Sequence, residues 1–149
     1  MQLSERFLNL VQQQLNSFEC EAGVQHLVVY VAQSKDGQSP SLEAVGQWPI
    51  LEKSLPPVES DPALRAPSSG RRWYPLQEDS ILLGVLRAER CAEDQAWPEV
   101  LDQRLQTTAA ALAHCLSLEL DRRRLLDELS QQREQIGLMV HQLRNPLAA

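Results

Sequence analysis

Basic residues are in the minority: 14 Lys and Arg stand against 20 Asp and Glu in a chain of 149. Divided at residue 90, the two parts carry 8 basic against 11 acidic residues and 6 against 9. Neither offers the basic surface that nucleic acid or an anionic membrane requires. Long apolar runs are also missing, so a transmembrane helix, which needs about 18 or more such residues in a row, is not expected. The first fifteen residues, MQLSERFLNLVQQQL, are polar throughout where a secretory signal needs a continuous apolar core. The expected location is the cytoplasm. Cysteines number only three, Cys20, Cys91 and Cys115, and they lack CxxC spacing, which excludes a disulfide framework and a zinc knuckle. They are expected as reduced thiols. Aromatics make up 5% and apolar residues 43%, which fits one globular domain plus one extended element.

Leu3, Phe7, Leu10, Val11, Leu15 and Phe18 recur at helical steps and predict a helix over Leu3 to Glu19, ended by Gly23. His26 to Gln33 is rich in β-branched residues and reads as a buried strand. The turn segment SKDGQSP then returns the chain as a second strand, Ser41 to Trp48, and the two make a hairpin. Seven of nine prolines lie between Pro40 and Pro75, so Pro49 to Gly70 is expected as an irregular crossing loop. Arg71 to Gln77 and Ser80 to Glu89 follow as strands around a Glu78-Asp79 turn, the second being central in the sheet.

After Trp97 the composition changes. Pro98 suits the first turn of a helix, and no proline recurs until Pro146. Leu101, Leu105, Ala109, Leu112 and Leu116 form one apolar stripe, residues 118–124 interrupt it, and Leu129, Ile136, Val140, Leu143 and Leu147 resume it. The first stretch can pack on the sheet, and the second reads as a coiled coil or bundle with another chain. At about 1.5 Å per residue such a helix would reach ~75 Å. A homodimer is expected, with contacts from this helix and the first one. Stopping at Ala149 inside the apolar repeat, the sequence reads as a cut piece of a longer protein.

The last residues, His141-Gln142-Leu143-Arg144-Asn145-Pro146-Leu147, resemble the H-box of two-component sensor histidine kinases. The usual pattern there is His, an acidic residue, Leu, Arg, Thr or Asn, Pro and Leu. The resemblance implies that His141 is the phosphoacceptor, that ATP is used through a kinase domain beyond this sequence, and that a response-regulator aspartate receives the phosphoryl group. A neutral imidazole is a competent nucleophile near pH 7, and one step past Val140 it would face solvent beside the helical seam. Pro146 cannot donate to the carbonyl of Gln142, which predicts a kink after the histidine. Gln142 stands where the family has an acidic residue that assists proton transfer, a task that an amide cannot perform. Autophosphorylation is expected to be slower or to rely on another base. Asn145 matches the position implicated in removing the phosphate, and Arg144 reads as an ion-pair partner.

Residues 1–117 resemble a GAF domain, best over ILLGVLRAERCAEDQAWPEVLDQRLQTTAAALAHCL (81–116), where a Gly-Val-Leu strand, an acidic turn and a Leu/Ala-rich helix follow in the family's order. Together with the H-box, the chain resembles a GAF-domain sensor kinase of the cyanobacterial or chloroplast type. The implied class is α+β: an antiparallel sheet flanked by helices and continuing into a long C-terminal signalling helix, with a sensor at 1–117 and a signalling and dimerisation segment at 118–149. Bilin-binding GAF domains attach their chromophore through a cysteine in the segment here spanning Pro49 to Arg72, which has none. No bilin is expected. Iron–sulfur sensing has been proposed for kinases of this type, and Cys20, Cys91 and Cys115 are candidate ligands or redox thiols, although their separations of 71 and 24 residues give no support. His26 and His114 are expected to be partly buried. The alternative to a kinase fragment is a non-catalytic GAF module that dimerises and senses a ligand or redox state, a reading that Gln142 favours.

Overall fold

The computed structural model describes residues 3–21, 23–34, 39–51, 54–56, 58–91 and 96–148, with side chains as far as Leu143. Helix α1 (Glu5–Asn16) starts where Ser4 Oγ accepts from the Phe7 amide at 3.2 Å, satisfying a donor that the first turn leaves open. It is shorter than the expected span, because the amides of Phe18, Glu19 and Glu21 bond carbonyls three residues back and tighten into turns. Its stripe of Leu3, Phe7, Val11 and Leu15, with Phe18 beyond it, is buried within this chain. The expectation that this stripe awaits a dimer partner is therefore corrected.

Strands β1 (Val24–Gln33), β2 (Ser41–Trp48), β3 (Arg71–Glu78) and β4 (Ile81–Arg90) form one antiparallel sheet in the order β2-β1-β4-β3. The fourth strand is internal, as its apolar character predicts. The β3–β4 turn lies one residue later than expected, at Asp79-Ser80, both with positive φ (48° and 66°), the geometry whose twist suits a two-residue hairpin. Gly84 is required where it stands: a Cβ there would lie 2.2 Å from the carbonyl oxygen of Tyr30. Within the proline-rich crossing segment the chain still makes a 3-10 turn (Val58–Ser60) and the one-turn helix α2 (Pro62–Arg65), whose Asp61 cap accepts from the Ala63 amide at 3.0 Å.

The two faces of the sheet follow from register. A Cβ on Gly46 would meet Val11 of α1, and Gly46 pairs with Val29, Val29 with Leu86, and Leu86 with Tyr74. That set faces the helices, and by alternation Val28, Tyr30, Arg87 and Trp73 face the other way. Helix α3 (Glu99–Ala148) begins beside Pro98. Its first stripe, Leu101, Leu105, Ala109, Leu112 and Leu116, is buried, each leucine worth about 2 kcal/mol of apolar burial.

Contacts divide the chain into two compact units, Met1–Ser117 and Leu118–Ala149. The second consists of the remainder of α3. Residues 118–124 interrupt the apolar repeat but not the helix, which is also assigned through Pro146. The expected α+β class, an antiparallel sheet with helices and a long C-terminal helix, is what the structure has. No helix among the described residues is long and apolar enough to cross a membrane.

Candidate functional site

The second unit carries the sequence motif. His141 and Gln142 have exposed side chains, and the neighbouring apolar groups are exposed as well: Leu129, Ile136, Leu138, Met139, Val140 and Leu143 lie between 45% and 66%. The side chains of Arg144, Asn145 and Leu147 lie outside the described residues, so the proposed role of Asn145 has no geometry attached.

His114 departs from expectation. It is 62% exposed and its Nδ1 lies 3.0 Å from Glu78 Oε1, across from the end of β3. At about 100° per residue it sits some 200° from the buried Leu112, on the outer side of α3. His26 is half-buried, as expected.

The three cysteines are not brought together. Cys20 and Cys91 are exposed and Cys115 is half-buried on α3, all as free thiols. Among the described residues no group of three His, Cys, Asp or Glu side chains could hold a metal ion. A cluster ligated by these three cysteines of one chain is thus not the arrangement found: Cys20 follows α1, Cys91 follows β4 and Cys115 lies far along α3.

Sequence reasoning missed a polar cluster on the sheet face turned away from the helices. Arg87, only 3% exposed, donates from a terminal nitrogen to His26 Nδ1 at 3.1 Å, and His26 Nε2 lies 3.2 Å from Gln47 Oε1. A guanidinium can only donate, so Nδ1 must accept and the ring proton sits on Nε2, directed at the Gln47 carbonyl oxygen. Burial, with the Arg87 charge acting in the same direction, holds the His26 pKa below its usual 6.5. Glu89 Oε1 is shared by Arg71 Nε at 3.1 Å and Arg87 Nε at 3.6 Å. The Arg87 guanidinium also lies 5.5 Å from the centre of the Tyr30 ring. Tyr30 is fully buried, its pKa is raised by that burial, and its hydroxyl has no hydrogen-bond partner among the described residues. The partners of His26 lie 21 and 61 residues away and meet only through strand register, so no local pattern could announce them.

A second cluster joins the sheet to α3. Asp102 Oδ1 accepts from the Tyr74 hydroxyl at 2.6 Å and from Arg72 Nη1 at 2.8 Å, while Oδ2 accepts from Gln106 at 3.1 Å. The Tyr74 bond holds the Asp102 carboxyl below its usual range, and burial followed by the Asp102 bond raises the Tyr74 pKa. Two residues on, about 200° around the helix, Arg104 lies over the Phe18 ring at 4.1 Å, donates to the Ser17 carbonyl at 2.8 Å and pairs with Glu21. An open groove of about 490 Å³ runs between β3 and α3, lined by Arg72, Tyr74, Asp102, Gln106 and Ala109 among others.

The chain is similar to the sensor histidine kinase Hik2 of Thermosynechococcus vestitus, 29% identical in an alignment covering 98% of this chain and 43% of that protein. The chain therefore spans less than half the length of that relative. No family profile matches the sequence. Among solved structures, the GAF domain of Thermosynechococcus elongatus PixJ in its blue-light-absorbing form superposes with a TM-score of 0.48 at 15% identity, over 82% of this chain and 94% of that one.

Proposed function

We propose that this chain is the sensory and dimerisation part of a two-component sensor histidine kinase. Residues 1–117 form a GAF-like sensor, and residues 118–149 form the signalling helix and the start of the dimerisation and phosphotransfer helix. The observation that carries this reading is the run His-Gln-Leu-Arg-Asn-Pro-Leu on the helix that leaves the sensor, in a chain similar along nearly all its length to Hik2.

In the complete protein, a ring nitrogen of His141 attacks the γ-phosphorus of ATP supplied by a kinase domain. The nitrogen–phosphorus bond forms as the bond to the bridging oxygen of ADP breaks, and the phosphoryl group then passes to an aspartate of a response regulator. The exposed stripe from Leu118 to Leu143 pairs with a second copy in a cytoplasmic homodimer. Gln142 can orient the imidazole by hydrogen bonding but cannot take its proton, so the base lies elsewhere or the step is slow. By its position in the run, Asn145 takes the separate task of orienting a water that removes the phosphate.

Gln142 also favours a second reading, a GAF module that dimerises and senses a ligand or a thiol redox state without phosphotransfer. Incubating the complete protein with labelled ATP separates the two. An acid-labile, alkali-stable label is expected of the kinase, and none of the non-catalytic module.

A further inference from the structure

We propose that edge strand β3 mechanically couples the crossing segment on one face of the sheet to helix α3 on the other. Successive strand residues point to opposite faces, and on β3 that alternation falls on two adjacent arginines. Arg71 grips the crossing segment: its Nη1 donates to the carbonyls of Ala63 at 3.2 Å and Ala66 at 3.1 Å, while its Nε holds Glu89 of β4. Arg72, one peptide later, donates to Asp102 in the first turn of α3, and Tyr74 donates to the same carboxylate oxygen.

A second link runs directly. The Trp97 indole N–H donates to the Ser69 carbonyl at 3.1 Å, and its ring carries the guanidinium groups of Arg72 at 5.0 Å and Arg90 at 5.4 Å. The crossing segment is thus anchored to Arg71, and the first turn of α3 to Arg72 and Tyr74, of one strand.

Position at an edge of the sheet leaves this strand able to move. β3 bonds only β4, whereas β1 and β4 are held on both sides, and a register shift between Leu76 and Gln77 separates its anchoring half from the hairpin end. Displacing the crossing segment by a ligand or a partner pulls on Arg71, and Arg72 and Tyr74 cannot keep Asp102 in place unless α3 follows. The proposal rests on the sensor reading for its purpose, since it names how a signal in residues 1–117 would reach the helix that continues to His141.

Amide hydrogen exchange of the 149-residue chain tests it without any phosphotransfer, so its failure is distinct from failure of the kinase reading. Arg71→Met should speed exchange of the α3 amides at 103–108 by about 5-fold or more while leaving β1 amides at 27–31 unchanged, and in an Asp102→Ala background it should add less than about 2-fold. Arg71→Lys, which keeps the Glu89 pair, should act in the same direction by a smaller factor and serves if the Met variant does not fold. Equal fold-changes in both backgrounds, no change at 103–108, or a uniform rise that includes β1 in both variants would overturn the proposal.

Discussion

Truncating two apolar residues of the same helix should have opposite consequences. Leu105 is fully buried, so Leu105→Ala removes three carbons from a closed core and should cost about 3 kcal/mol through lost transfer energy and the cavity left behind. For a chain of this size that corresponds to a fall in Tm of about 6–12 °C. Ile136 is 61% exposed, and Ile136→Ala should change unfolding of the dilute chain by no more than about 0.5 kcal/mol. Its effect should appear in association instead: burying that side chain against a second copy is worth about 2 kcal/mol and a homodimer loses it from both copies, so the dimer dissociation constant should rise about 1,000-fold. Thermal unfolding at low concentration and sedimentation equilibrium read the two quantities separately. Equal shifts in Tm for the two variants, or unchanged association on truncating Ile136, would refute the division of α3 into a core half and a partner half.

Acidification should destabilise the sheet through His26. Its folded pKa lies below 6.5, so the unfolded chain binds more protons, and the stability held by the neutral ring is present above about 6.5 and lost as pH falls toward the folded value. Urea unfolding at pH 7.5 and pH 5 should reveal that loss, and His26→Gln should flatten it. Gly84→Ala forces a Cβ to within 2.2 Å of a backbone oxygen, and should cost more than about 2 kcal/mol or prevent folding, as judged by circular dichroism. In the complete protein, Gln142→Glu supplies the missing carboxylate and should raise the rate of autophosphorylation about 10-fold or more if proton transfer limits it. An unchanged rate would place the base elsewhere.

What could be read in advance was what period and punctuation encode. The stripe from Leu101 to Leu116 sits at helical steps and is buried, and β2 runs over Ser41–Trp48 as its composition predicts. Boundaries moved where capping or turn geometry decides them, as at Ser4 and Asp79. His114 was misjudged from its Leu and Ala neighbours, although its angular distance from Leu112 already put it outside. The stripe of α1 was legible as apolar, but not what would cover it, since the β2 surface opposite is apparent only once the sheet is assembled. The His26–Arg87–Gln47 contacts and the Asp102 anchor join residues between 21 and 61 positions apart, and only strand register and helix packing bring them together. The run around His141 stands in the sequence as seven consecutive residues, and the structure adds that His141 and Gln142 are exposed.

The proposed function stands or falls on His141 accepting the phosphoryl group. His114 is the informative control, because it too is exposed and already has a carboxylate at hand in Glu78, so exposure alone does not distinguish the two. Labelling the complete protein with ATP, as His141→Gln beside His114→Gln, tests the claim most directly. Loss of label in the first and retention in the second is the predicted result, and undiminished labelling of His141→Gln would contradict it.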